Sequence, residues 1–211
     1  RKKFTVPGLK DMMNLGVLKP REARDLLITI CERIGDQADE LARLCGYLPL
    51  ALRAAGSFMA NTDDLEPAEY IDELRSERTR LERLGSDGVD QGVEASFNLS
   101  YSRLPIESKR VFYTTSIFPA DFDAIAEEAI CQDEGHKVLS ELVKWSLIDY
   151  LLMDGSGRYR MHDLVRAFAS KCLDKEDGEV KRFEASRRFA EYYRDLLGHA
   201  NSLYQQGGEA V

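Results

Sequence analysis

A histidine and an aspartate stand side by side where a strand-like segment is predicted to meet a helix. Residues 157–161 have the pattern of a short strand, and Leu164, Val165, Phe168 and Ala169 have helical spacing. Asp163 is suited to cap that helix, because its carboxylate can accept from the free N–H groups of the first turn. His162 then lies beside the positive end of the helix dipole, where an imidazole and backbone amides suit a phosphate. The simpler alternative is a capped helix start with a surface histidine.

Two other groups of charged residues invite a chemical interpretation. The carboxylates of Asp121, Asp123, Glu127 and Glu128 suggest a metal or acid–base site, but an acidic first helical turn that complements the dipole is more common. The arginines within residues 182–194 are interleaved with glutamates, which favours a solvated helix face over a basic patch. The sequence has no G-x-x-x-x-G-K-[ST], no G-x-S-x-G and no cysteine–histidine pair at a recognised spacing. It therefore predicts no self-sufficient active site.

The composition is that of an ordinary globular protein with an acidic balance. The chain has 211 residues, 29 Lys and Arg against 37 Asp and Glu, and a net charge of −8. This charge argues against binding to nucleic acid or to an anionic membrane. No apolar run approaches the roughly 20 residues that a membrane-spanning helix needs. The sequence begins at Arg1 without a signal-peptide pattern, so we expect it to be a piece of a longer protein.

The cysteines predict a reducing compartment. Cys31, Cys45, Cys131 and Cys172 form no C-x-x-C pair, and each falls within a helical pattern. This arrangement is typical of buried, reduced thiols rather than of a disulfide framework or a metal site. We therefore expect a cytoplasmic protein.

Proline and glycine positions organise the first part of the chain. Residues 1–19 look like the tail of a preceding domain, with a short strand predicted at residues 14–18. Pro20 and Pro67 suit the first turns of helices, where a missing N–H costs nothing. Helical periodicity predicts a bundle subdomain over residues 20–84, in which the first helix runs to Ile34 and Asp36 caps the second. The charged, glycine-containing residues 85–92 are predicted to be a linker.

The second part of the chain has the pattern of a winged helix. Further helices are predicted from Val93 to about residue 145, followed by two strand-like runs at residues 147–153 and 158–161. The residues between these runs, 154–157, are typical of a hairpin turn. Helices followed by a hairpin define a winged-helix subdomain over residues 93–173. Residues 174–211 are predicted to form a C-terminal helix that leads to a sensor or repeat region.

A winged helix also raises the possibility of DNA binding. The helix at residues 136–146 would be the recognition helix, and the wing would contribute Arg158 and Arg160. The recognition face is apolar rather than basic, although phosphate neutralisation requires clustered Lys and Arg. DNA binding stays open as an alternative, as does a protein-interaction scaffold with no nucleotide role.

Two stretches together resemble the NB-ARC family, the nucleotide-binding module of STAND signal-transduction ATPases. LARLCGYLPLALRAAGSFM at residues 41–59 resembles the family's GxP segment, and MHDLVRAFA at residues 161–169 resembles its MHD segment. In the family, the first lies in a helical subdomain and the second in a winged-helix subdomain further along the chain. The order and separation of the two stretches match that arrangement.

The resemblance implies roles for particular residues. Pro49 corresponds to the proline that packs against the adenine of ADP, and His162 to the histidine that contacts its β-phosphate. Asp163 corresponds to the aspartate that caps the next helix and fixes that histidine, and Arg1 to an arginine that senses the terminal phosphate of ATP. The supporting residues are Gly46, Leu48 and Met161. The sequence departs from the commoner plant form at Tyr47, where a glycine usually precedes the Leu-Pro pair.

The resemblance also implies cofactors and partners. Family members carry an N-terminal P-loop domain, which this sequence lacks, so we expect ADP or ATP with Mg²⁺ in the full-length protein and none bound to this piece. The full-length protein is expected to be a slow ATPase switch. Its expected partners are the P-loop domain, a C-terminal sensor or repeat domain, and further copies of itself in the active state. No membrane partner is expected, and the acidic charge disfavours nucleic acid.

Overall fold

The computed structural model describes residues 17–83, 91–176 and 178–206. Within them the chain is mostly helical, with one antiparallel hairpin followed by two helices, which confirms the predicted fold class. The elements are α1 (Pro20–Ile30), α2 (Ala38–Leu44), α3 (Pro49–Ala60), α4 (Pro67–Arg83), α5 (Gln91–Arg103), α6 (Ile106–Thr114), α7 (Ala124–Cys131), α8 (Lys137–Lys144), β1 (Asp149–Met153), β2 (Ser156–Arg160), α9 (Asp163–Glu176) and α10 (Gly178–Gln205). No helix in the described residues is both long and apolar enough to cross a membrane.

Proline marks the starts of α1, α3 and α4. Pro20, Pro49 and Pro67 are each the first residue of their helix, where no intrahelical donor is required. α1 ends at Ile30 rather than at the predicted Ile34, and a 3₁₀ segment, Glu32–Gln37, follows. The predicted cap at Asp36 is therefore wrong, because α2 begins only after Gln37 and the turn bends at Gly35, whose φ is 55°.

α5 joins the two predicted subdomains through its packing. It lies against α3 and α4 of the first bundle and also contacts α9 of the second. The buried apolar residues form one continuous cluster that extends from Ala23 to Ala169. Residues 85–90 of the predicted linker lie outside the described residues, and its last two, Gln91 and Gly92, are the first two residues of α5. The division of the chain into subdomains stays a prediction.

The hairpin has a two-residue turn, which sets its register. Asp154 and Gly155 both have positive φ, 51° and 76°, as the tight turns that match strand twist require. Asp149 therefore pairs with Arg160 and Met153 with Ser156. β2 begins two residues earlier than predicted, because the turn uses two residues instead of four. β1 begins two residues later, because the N–H groups of Leu147 and Ile148 both donate to the Leu142 carbonyl, at 3.0 and 3.3 Å, in the turn after α8.

α9 and α10 complete the fold on the side of α7. α10 packs on α7 and α9, and Phe189 contacts the ring of Phe118 edge-on, at 5.8 Å between centroids. From residue 194 to its end at Gln205, the side chains of α10 are exposed. The predicted strand at residues 14–18 lies mostly outside the described residues, and Arg1 lies entirely outside them. Cys31, Cys45 and Cys131 are buried free thiols.

Candidate functional site

The GxP segment forms a tight turn between α2 and α3. Gly46 and Tyr47 have consecutive left-handed conformations, with φ of 63° and 57°, and the Tyr47 N–H donates to the Ala42 carbonyl at 3.1 Å. The left-handed conformation costs a residue with a Cβ about 1–2 kcal/mol of conformational free energy, whereas it costs glycine little. This explains why a glycine suits position 47. The tyrosine there is half-buried and packs against the core, which offsets part of the backbone strain.

Pro49 lies exposed at the start of α3. The Leu48 carbonyl accepts from the Leu52 N–H at 3.0 Å, so α3 begins directly after the turn. Among the described residues no side chain caps this helix start. On the other side, the Leu18 N–H donates to the Tyr47 carbonyl at 2.9 Å, which fixes the segment before α1 beside the turn. The exposed ring of Pro49, the uncapped start of α3 and the fixed backbone at Tyr47 therefore lie next to one another on the surface.

His162 is the N-cap residue of α9. Its carbonyl accepts from the Arg166 N–H at 2.8 Å, and its ring Nδ1 accepts from the Leu164 N–H at 3.2 Å. Because Nδ1 is an acceptor, the neutral ring carries its proton on Nε2. The ring is exposed, whereas the preceding Met161 is only 4% exposed and holds the corner to the core. The corner thus presents one imidazole N–H to solvent.

Asp163 does not perform the predicted capping. Its Oδ1 accepts from Arg166 Nη2 at 2.6 Å, and Arg166 also donates through Nη1 to the Pro119 carbonyl at 2.8 Å. The ring of His162 provides the cap instead, because Asp163 is already the first residue of α9 and its carboxylate turns toward the arginine one helical turn away. Asp163 therefore orients Arg166, and Arg166 ties α9 to the loop before α7.

Polar side chains along α3 and at its C-cap connect this helix to the start of the hairpin and the residues before it. Arg53 and Ser57 lie four residues apart on one face of α3, and Asn61, four residues further along, is its C-cap. Arg53 Nη2 pairs with Asp149 Oδ1 at 2.6 Å, the Ser57 hydroxyl bonds that of Ser146 at 2.7 Å, and Asn61 Nδ2 donates to the Lys144 carbonyl at 3.1 Å. We call these contacts the polar seam.

The polar seam relates the two motifs. Arg53 is one helical turn after Pro49, and its partner Asp149 pairs across the hairpin with Arg160. Arg160 precedes His162 by two residues. The first turns of α3 and the corner before α9 are thus joined through the base of the hairpin.

The acidic residues before and within α7 have structural partners. Asp123 is the N-cap of α7 and accepts from the Ala126 N–H at 2.7 Å, as expected for an acidic helix start. Arg158 of the hairpin pairs with Asp121 at 2.8 Å and with Asp123 at 3.2 Å, and its hydrogen bond lowers the pKa of Asp121. In the described part of the chain no three His, Cys, Asp or Glu side chains are placed to hold a metal. Arg158 is therefore occupied by carboxylates rather than presented to a nucleic acid.

Glu127 is a titratable residue whose environment the sequence did not reveal. It is fully buried, and its carboxyl oxygens have no hydrogen-bond partner among the described residues. Burial, and then the charges of Asp133 and Glu128, raise its pKa to about 8. His136 Nδ1 lies 3.6 Å from Glu127 Oε2. The available signal was helical spacing, since Glu127 is four residues before the buried Cys131.

Sequence comparison relates the chain to bacterial and plant proteins. It is 31% identical over 210 residues to regulatory protein AfsR of Streptomyces griseus and 32% identical over 211 residues to AfsR of Streptomyces coelicolor, each match covering 95% of the chain. It is 27% identical over 169 residues, 72% of the chain, to disease resistance protein RPP8 of Arabidopsis thaliana. The chain spans 21% of the length of the AfsR proteins and 18% of RPP8. No family model matches the chain.

Proposed function

The chain belongs to an NB-ARC-like family of signalling regulators, and from that premise we propose that it is the regulatory middle segment of a longer STAND-type ATPase. In this proposal the GxP turn and the His162 corner close over ADP, which a P-loop domain of the same protein holds with Mg²⁺. The bound nucleotide supplies a chain of charged phosphates. The segment transmits to a C-terminal sensor whether ADP or ATP is bound. Arg1 is proposed to contact the terminal phosphate of ATP.

The exposed imidazole of His162 is the observation that carries the proposal. Its Nδ1 is engaged by the Leu164 N–H, so the remaining Nε2–H is the donor for a phosphate oxygen. The start of α9 adds the positive end of a helix dipole on the same corner. A neutral donor at a helix N-terminus suits a diphosphate without requiring a protonated histidine.

Pro49 supports the adenine side of the proposed site. Its ring is exposed, and the bond from Leu18 to Tyr47 fixes the backbone beside it. Tyr47 has a left-handed conformation, with φ of 57°, which a glycine at this position would adopt with little strain. The tyrosine ring is then available to narrow the adenine side of the cleft.

The polar seam suits a switch between two arrangements. The Arg53–Asp149 pair is partly exposed, with side-chain exposures of 39% and 24%, and a pair at such a position stabilises by only about 0.2–1 kcal/mol. Opening the seam alone therefore costs little, but the two predicted subdomains also share one apolar cluster, so the proposed release is of the winged helix from the nucleotide. ADP favours the closed arrangement only by binding it more tightly than the open one. We propose that loss of this preference releases the winged helix and permits self-association in the cytoplasm.

Substitution of His162 in the full gene product tests the proposal. His162→Ala should release ADP at least about tenfold faster, because a hydrogen bond to a charged group contributes about 1.5–3 kcal/mol. His162→Asn should show the same defect, although asparagine is a good N-cap and preserves the start of α9. His199→Ala, on the exposed part of α10, is the matched control.

The readouts are the rate of ADP dissociation and the oligomeric state by light scattering. Parent-like ADP retention in both His162 variants would refute the phosphate role. Absence of co-purified ADP from the parent protein would favour an interaction scaffold instead.

A further inference from the structure

We infer that α5 sets the spacing between the GxP turn (residues 46–49) and α9, and that Gly92 is the positioning residue at the N-terminal end of α5. The inference rests on the proposed function, since it concerns the two motifs that are proposed to meet the nucleotide. Gly92 fell in the predicted linker, and no role was expected for it. In the structure, Gly92 packs against Leu44 and Cys45, the residues that precede the turn.

The N-terminal end of α5 contacts the backbone that leads into the turn. A Cβ built on Gly92 would lie 2.9 Å from the Leu44 carbonyl oxygen and 3.1 Å from the Cys45 carbonyl carbon. Real Cβ atoms essentially never approach other atoms within 3.0 Å. Arg78 of α4 donates to the same Leu44 carbonyl at 2.6 Å. Both α4 and α5 thus contact the C-terminal end of α2 at Leu44 and Cys45, directly before the left-handed residues Gly46 and Tyr47.

The other part of α5 contacts the helix that begins at the His162 corner. The ring of Phe97 lies 5.8 Å from that of Phe168, and the ring of Tyr101 meets Phe168 edge-on at 5.9 Å. Phe168 is in the second turn of α9 and is 8% exposed. These aromatic contacts fix α9 against α5 in a buried environment.

One rigid element therefore joins both halves of the proposed site. Gly92 and Tyr101 are separated by about 14 Å along a helix that rises 1.5 Å per residue. A close-packed interior transmits a displacement rather than absorbing it. Because the added methyl at position 92 would meet backbone atoms, no side-chain rotation relieves the contact, and α5 or the turn must shift.

Hydrogen exchange on the 211-residue chain tests the structural part of the inference. Gly92→Ala should raise exchange of the Leu18 amide, which bonds Tyr47, by about tenfold more than two matched glycine-to-alanine controls. In Gly56→Ala the new methyl meets the Ile30 side chain at 3.0 Å, and in Gly198→Ala it meets nothing within 4 Å. Equal exchange at Leu18 in Gly92→Ala and Gly56→Ala would overturn the inference.

A second variant addresses the other end of α5. Phe97→Leu keeps the contact behind the turn but loosens α9, so it should raise exchange of the Arg166 amide and spare that of Leu18. If Gly92→Ala does not fold, this variant decides the question. An equal rise at Leu18, Arg166 and the Gln132 amide of the α7 C-cap, which bonds Glu128, would show a general loss of stability and refute the role of α5.

Binding of ADP with Mg²⁺ to the full gene product tests the link to function. Gly92→Ala should bind ADP about tenfold more weakly than the parent, whereas Gly198→Ala should match the parent. Unchanged affinity in Gly92→Ala would overturn the positioning role. If the parent binds no ADP, the proposed function fails, and the exchange measurements still decide whether α5 sets the spacing.

Discussion

Glu127→Gln should stabilise the protein increasingly as the pH rises. Glu127 is fully buried, its carboxyl has no hydrogen-bond partner among the described residues, and its pKa is raised from 4.5 to about 8. A carboxyl with this pKa stays protonated in the folded protein at pH 7, whereas it ionises in the unfolded chain. The favourable contribution of the protonated form is complete below pH 4.5 and is lost as the pH rises through 8.

The size of the effect follows from the two pKa values. One pKa unit corresponds to about 1.4 kcal/mol, so keeping Glu127 protonated costs about 3 kcal/mol at pH 7 relative to the unfolded chain. Glutamine has the same shape and never ionises. The variant should therefore equal the parent near pH 4 and exceed its free energy of unfolding by about 3 kcal/mol at pH 7.

Urea unfolding at pH 4, 5, 6, 7 and 8 measures this difference. Glu32→Gln is the matched control, because Glu32 is exposed and lies in the 3₁₀ segment after α1, away from Glu127. Its effect should stay within about 0.5 kcal/mol across the range. A difference between Glu127→Gln and the parent that does not change with pH would refute the reasoning. Such a result would mean that burial does not raise the pKa of Glu127 in the folded protein.

Two further perturbations address the turn and the polar seam. Gly46→Ala should destabilise the chain by about 1–2 kcal/mol through backbone strain, because φ at this position is 63° and the nearest atom to the new methyl, Leu48 Cδ1, is 4.0 Å away. Thermal or urea unfolding measures the loss of stability. An unchanged free energy of unfolding would contradict the left-handed conformation. Arg53→Ala and Asp149→Ala should show a coupling energy of about 0.2–1 kcal/mol in a double-mutant cycle. Strict additivity would show that the ion pair contributes nothing to the seam.

The sequence predicted those features that a few neighbouring residues decide. Pro20 and Pro67 marked helix starts because the missing N–H and the fixed φ act within one turn. The residues around Asp154 and Gly155 marked the hairpin because positive φ at a tight turn has few chemical solutions. The sequence predicted a side-chain cap at the start of α9 but assigned it to Asp163 instead of His162. Both side chains are hydrogen-bond acceptors at this helix start, and the sequence does not distinguish between them.

The sequence by itself thus determined the order of helices and hairpin and the two short motifs that resemble a known family. Only the tertiary structure decided which residues those motifs depend on. Glu127 is buried because α7 packs between other elements, and Gly92 is required because the end of α2 approaches α5 across 47 residues of chain. Local patterns reflect interactions over one or two turns, whereas burial and close approach depend on contacts between residues that are distant in sequence.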